Sequence, residues 1–124
     1  MERKDDMTTA TTAWGDDAPI YRQIMDRVLA GILDGTYREG DYLPSVRQFA
    51  SLFEVNSLTV AKALGVLTQL GVTEKRRGLG LLLRVGARKE IMAKERRKFL
   101  EDEWPELRLR IQRMGIDVED LLRE

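Results

Sequence analysis

Residues 55–85 read VNSLTVAKALGVLTQLGVTEKRRGLGLLLRV, and within this stretch the chain changes its period. Up to Leu70, the apolar residues Val60, Ala63, Leu64 and Leu67 recur at the three- and four-residue spacing of a helix with one buried face. Asn56 stands just before the first helical position, where its side chain can accept an orphan backbone N–H, and Gly71 stands at the usual stop. Beyond Gly71 the helical period is lost. Residues 72–76 and 81–85 are strand-like runs joined by Arg77, Gly78, Leu79 and Gly80, so a β-hairpin with glycines at a tight connection is expected. A capped helix feeding a hairpin limits what can lie upstream.

Working backwards, Ser45 follows Pro44 and precedes Gln48 by three residues. That is a capping box, in which the Ser hydroxyl satisfies one orphan amide and Gln reaches back to another. A short helix therefore starts at Ser45 and turns Val46, Phe49, Ala50 and either Leu52 or Phe53 inward. Residues 54–57 bring new cap chemistry and end it early. Further upstream, Ile20, Ile24, Val28 and Ile32 fall on one line with Tyr21, Met25, Leu29 and Leu33 beside it. Pro19 suits the first helical position of that helix and Gly35 its stop. Residues 36–41 are turn-rich, and Tyr42 and Leu43 fit a very short strand. Helix, short strand, helix, tight turn, helix, hairpin is the order of a winged helix-turn-helix domain, mostly α with a small β-hairpin, over residues 19–86.

Downstream of Gly86 a long charged helix is expected. Leu100, Trp104, Leu107, Ile111 and Met114 are spaced +4, +3, +4, +3, a heptad seam. Pro105 falls inside it, and because the phase survives, the expectation is a kinked continuous helix or two pieces kept nearly in line. Gly115 stops it, and Asp117 caps a last short helix ending at Leu121 and Leu122. Residues 87–124 thus form a helical tail whose seam either holds a homodimer or packs back on the chain's own domain. Residues 1–18, Thr- and Asp-rich without apolar period, are expected to be a flexible N-terminal tail. Trp14 is the exception, a side chain that either docks on the body, which is the expectation, or stands exposed.

Composition narrows the chemistry. The 124 residues include no Cys and no His, which removes thiolate metal sites, disulfides and the usual general base near neutral pH. No enzyme activity and no cofactor are expected. No apolar run approaches the ~20 residues that cross a bilayer. The first 17 residues, MERKDDMTTATTAWGDD, hold no apolar signal core, so a cytoplasmic chain is expected. The formal net charge of zero hides a gradient. Residues 19–88 carry ten Lys/Arg against six Asp/Glu, while residues 1–18 carry two against five and residues 89–124 nine against ten. The basic segment is the winged-helix stretch, which suits a polyanion partner.

Within it, the first turn of the Asn56-capped helix offers Asn56, Ser57, Leu58 and Thr59, then Lys62, to a major groove. The hairpin tip gathers Lys75, Arg76, Arg77 and Gly78, cations beside a glycine that permits close backbone approach. The plain alternatives are a polar helix surface and cations that discourage edge pairing. Arg47 projects opposite the apolar face of the Ser45-capped helix, where the helix N-terminus already favours anions. Its alternative is a surface ion pair with Glu54 or Asp41.

These segments together resemble the GntR family of bacterial transcription regulators, and within it the small YtrA-type subfamily. The likeness is carried by PIYRQI (19–24), GDYLPSVRQFA (40–50), VNSLTVAKAL (55–64) and LGVTEKRRGLG (70–80), in order, over most of residues 19–80. The resemblance implies a double-stranded DNA operator as partner. It makes Arg47 a DNA-contacting position, Asn56, Ser57, Thr59 and Lys62 the recognition helix, and Arg77 and Gly78 the wing tip. Ser45 in the cap beside Arg47 and Arg76 in the tip's cation cluster are expected to join these contacts. It also implies a homodimer through Leu100, Trp104, Leu107, Ile111 and Met114, repressor action on an inverted repeat, and an unidentified small-molecule effector. Departures are Ser57 and Leu58 where Pro and Asn or Arg are usual, Leu81, Leu82 and Leu83 for Thr-Phe-Val, Gly65 in mid-helix, and Pro105 in the tail. A winged-helix module binding a protein partner is the rival expectation.

Overall fold

The structure is a computed structural model that describes residues 14–123. Its elements are α1 (Ile20–Leu33), α2 (Val46–Phe53), α3 (Ser57–Gln69), β1 (Thr73–Arg76), β2 (Gly80–Leu83), α4 (Ala87–Lys98), a π-helical turn (Phe99–Glu103), α5 (Trp104–Arg113) and α6 (Val118–Leu122). The fold is mostly α with a two-stranded antiparallel hairpin, a winged helix-turn-helix followed by a helical segment. The chain divides into one unit ending at Arg88 and another beginning at Lys89.

Local cap chemistry sets the helix boundaries of the first unit. Ser45 Oγ accepts from the Gln48 N–H at 3.1 Å while Gln48 Oε1 accepts from the Ser45 N–H at 2.8 Å. Asn56 Oδ1 accepts from the Leu58 N–H at 2.7 Å and opens α3. Gly71, at φ +83°, turns the chain out of α3 in the left-handed region that glycine adopts at little cost. Pro19 is the N-cap of α1, not its first helical residue: its ψ of 151° is extended, and its carbonyl accepts the first helical N–H groups, from Arg22 and Gln23.

The apolar lines converge on one core of Ile24, Val28, Ile32, Phe49, Val60, Leu67 and Leu83, all fully buried. The choice between Leu52 and Phe53 falls to Phe53, which is 3% exposed against 52% for Leu52. Its ring stacks on Phe49 at 5.5 Å and meets Trp14 in a T-shaped contact at 5.9 Å, and Tyr37 makes a T-shaped contact with Phe49 at 5.8 Å. Of the stretch expected as a flexible tail, residues 1–13 lie outside the described residues. Residues 14–18 are tied to α1, with Gln23 bonded to both the N–H and the carbonyl of Gly15 and to the carbonyl of Ala18. The Arg27 guanidinium lies 4.0 Å over the Trp14 ring, so the expected docking of that side chain is observed.

In the hairpin, Thr73 pairs with Leu83 and Arg76 with Gly80, leaving Arg77, Gly78 and Leu79 as the tip. The expected very short strand is a single bridge between Tyr42 and Leu82, flanked by the Leu43 N–H to the Leu81 carbonyl at 2.9 Å. The second strand ends at Leu83, two residues sooner than its apolar run suggests, because Gly86 at φ +96° turns the chain and leaves Val85 outside.

In the second unit the helical path continues through Pro105. A proline has no N–H and its ring crowds the carbonyl four residues back, here Glu101. The widened turn accommodates it: the Trp104 N–H bonds the Phe99 carbonyl five residues back, and α5 then starts with Pro105 in its first turn. Gly115 stops α5 at φ +67°, and Asp117 Oδ1 accepts from the Glu119 N–H at 3.1 Å to open α6.

Candidate nucleic-acid interface

Three surfaces of the first unit carry the candidate residues: the first turn of α2, the exposed stripe of α3 and the hairpin tip. The pair α2 and α3 meets at 119° across a short turn, within the usual range for a helix-turn-helix. That turn holds Glu54 at φ 56°, ψ 50°, a left-handed residue that is not glycine.

On α2, Ser45 and Gln48 satisfy each other, so Ser45 Oγ is already engaged in the cap. Arg47 beside them is exposed, and among the described residues it makes no ion pair, so neither Glu54 nor Asp41 holds it. An extended guanidinium next to a helix N-terminus is a place where a phosphate oxygen meets both a charge and a dipole.

On α3, the exposed positions are Ser57, Leu58, Ala61, Lys62, Gly65 and Gln69, one stripe at helical spacing. Asn56 precedes it with its Oδ1 already engaged, which leaves its NH₂ group as the donor. Thr59 is half-buried and turns off the stripe. It lines, with Leu58 and Lys62, a shallow groove against Pro19, Ile20 and Tyr21. The Lys62 ammonium sits 4.2 Å over the Tyr21 ring, a cation–π contact that fixes its stem without neutralising it. Tyr21, Ala61 and Gly65 have no place among the DNA-contacting residues expected from sequence. The 3.6-residue period that exposes Ser57, Leu58 and Lys62 also exposes Ala61 and Gly65, so that signal was available.

At the tip, Lys75 and Arg77 are exposed and unpaired among the described residues, whereas Arg76 pairs with Glu74 at 3.4 Å. Strand alternation puts residues two apart on one face, so the Arg76–Glu74 pairing was implicit in the sequence. Exposed pairs of this kind are worth little, and Arg76 can exchange Glu74 for a phosphate at small loss. Gly78 at φ +75° makes the tip turn, with the Leu79 N–H on the Arg76 carbonyl at 2.9 Å.

The heptad residues lie in the second unit and differ in availability. Leu100, Leu107 and Met114 are exposed and Trp104 is half-buried, while Ile111 is only 7% exposed. Leu109, Ile116, Leu121 and Leu122 add exposed apolar surface outside the seam. No single helix among the described residues is long and apolar enough to cross a membrane.

Comparison with known proteins agrees with this geometry. The family model described as "Bacterial regulatory proteins, gntR family" matches residues 20–83. The HTH-type transcriptional repressor YtrA of Bacillus subtilis is 31% identical over 103 residues, covering 83% of this chain and 78% of that protein. Among solved structures, a GntR family transcriptional regulator from Listeria monocytogenes superposes with a TM-score of 0.72 at 29% identity, covering 88% of this chain and 94% of its own. A transcriptional regulator of the same family from Bacteroides thetaiotaomicron gives 0.62 at 31% identity, over 83% and 89%.

Proposed function

Because the chain belongs to the gntR family of bacterial regulatory proteins, and is thus a transcriptional regulator with a DNA-binding helix-turn-helix, we propose that it is a homodimeric repressor acting on an inverted-repeat operator in the cytoplasm. The observation that carries the DNA-binding geometry is Arg47: an exposed guanidinium, unpaired among the described residues, on the capped first turn of α2. In this reading residues 19–86 are the DNA-binding domain and residues 87–124 the dimerisation tail. Arg47, Lys62 and the tip cations Lys75, Arg76 and Arg77 neutralise phosphates, and the first turn of α3 chooses the sequence. Ser45 holds Arg47 in place through the cap, and Gly78 lets the tip backbone approach the duplex. Leu100, Leu107 and Met114 supply the exposed part of the dimer seam, with Trp104 its half-buried and Ile111 its buried member. Two-fold pairing sets half-sites about one helical turn, roughly 34 Å, apart.

The test is the retention of genomic fragments by the full chain at physiological salt, followed by affinity on whatever repeat is recovered. Arg47→Ala and Arg77→Ala are each expected to weaken binding while leaving the oligomeric state unchanged; wild-type affinity in both would remove these site assignments. An effector acting on the spacing of the two readers belongs to the same reading, and metabolite extract that leaves operator affinity unmoved would remove it. The rival, a protein-binding winged helix, draws on the exposed apolar side chains of Leu58 and Leu79. Salt separates the two, because phosphate binding weakens steeply as counterions are released.

A further inference from the structure

We propose that Leu58 is the specificity-determining residue of this DNA reader, and that it takes the C5-methyl group of a thymine in the major groove. The inference rests on α3 being the recognition helix. Leu58 is the second residue of α3 and is 78% exposed, an apolar side chain presented to water on the turn that would meet base edges. Its neighbours on the stripe are Ser57 and Ala61, too small to shield it, and Lys62, whose ammonium is drawn over the Tyr21 ring. A Cβ built at Gly65 meets nothing within 4 Å, so the helix surface there is open to close approach.

The polar inventory of the same turn points the same way. Bidentate reading of adenine needs an amide turned flat to the base edge, but the Asn56 amide is oriented by the cap, its Oδ1 accepting from the Leu58 N–H at 2.7 Å. Thr59 is half-buried, and the Lys62 ammonium is seated over Tyr21. No arginine stands on α3 to take guanine in a fork. What remains is the Ser57 hydroxyl, the Asn56 NH₂ group and the Leu58 isobutyl group. Of the four bases only thymine presents a methyl group to the major groove, and the leucine gains by leaving water against it. The flanking cations Arg47, Lys75 and Arg77 would hold the helix in the groove while this contact discriminates.

The experiment uses the full chain and a randomised duplex library. The enriched site is then resynthesised with each thymine replaced in turn by uracil, which removes only the methyl group. One thymine per half-site is expected to show an affinity loss of about four-fold on this replacement, the worth of roughly one buried methyl group. Leu58→Ala should abolish that loss while leaving the response to uracil at every other thymine unchanged. Leu58 makes few contacts in the free protein, so the variant should fold with an unchanged melting temperature. A uracil penalty that persists in Leu58→Ala, or no thymine with any penalty, would overturn the inference while operator binding stands. No enriched duplex at all would overturn the operator-binding reading, and this inference with it.

Discussion

Gly31 and Gly65 both lie inside helices, and alanine is expected to act at them with opposite sign. At Gly65 an added methyl group meets open space, so Gly65→Ala should raise stability by about 1 kcal/mol through helix propensity alone. At Gly31 the added carbon would stand 2.4 Å from Tyr37 Cε2 and 2.7 Å from Cδ2. Tyr37 cannot yield freely, because its ring meets Phe49 at 5.8 Å and its N–H bonds the Gly31 carbonyl at 3.1 Å. Overpacking then outweighs propensity, and Gly31→Ala should lose about 1–3 kcal/mol. Denaturant unfolding of the two variants at equal slope checks both signs. The sequence marks Gly65 as an irregularity in α3, but nothing in it marks Gly31. The demand comes from a ring six residues on, beyond the turn that ends α1, and such a constraint has no local signature. Gly65→Ala also reports on the interface: if the stripe lies close against DNA, the variant should bind more weakly while being more stable.

At the scale of elements, the two joints of the winged helix yield separate predictions. Glu54 occupies the left-handed region between α2 and α3, where a side chain costs about 1–2 kcal/mol and glycine is not penalised. Glu54→Gly should therefore gain stability, by roughly 0.5–1 kcal/mol once glycine's own entropy is set against it, as read from the urea midpoint. At the start of α4, Glu39 Oε2 accepts from the Arg88 N–H at 2.8 Å, a cap delivered from a distant loop. That N–H, then the Gly86 N–H and the charge of Arg88, hold the Glu39 carboxyl below the usual carboxylate range, with burial opposing them. A depressed folded value means the contribution is complete above the unfolded pKa, about 4.3 for Glu, and is lost as pH falls through the folded value. The melting-temperature gap between wild type and Glu39→Gln should be open at pH 7 and should close on acidification below about pH 4. A gap that stays constant across that range would remove Glu39 from the cap. Ser45 with Gln48, Asn56, Gly71 and Asp117 were legible because caps are local chemistry, written within four residues. Glu39 was not, since its partner lies 49 residues away. The π turn was half legible: Pro105 announces a disturbance, but only the backbone shows that widening the turn, rather than breaking the helix, accommodates it.

For the molecule as a whole, the proposed site and the proposed assembly make one joint prediction. The apolar stripe on the tail helices was legible from its period, but the burial of Ile111 beside the exposure of Met114 was not, since a heptad pattern gives faces and not what covers them. If the exposed members hold a dimer, Leu107→Lys with Met114→Lys should yield a folded monomer by sedimentation. Among the described residues, the three candidate surfaces of each protomer carry four basic side chains free of ion pairs or seated only on a ring: Arg47, Lys62, Lys75 and Arg77. Each phosphate neutralised contributes about 0.9 to the slope of log affinity against log salt. A dimer engaging these eight should then show a slope near −7, or about −9 if Arg76 also leaves Glu74 for a phosphate, and the monomeric variant about half that on a single half-site. The two proposals can fail separately. A steep slope that the double substitution leaves unchanged would keep the DNA contacts and move the dimer interface elsewhere. A shallow slope in a dimer that separates as expected would keep the tail seam and remove the four cations from the phosphate backbone.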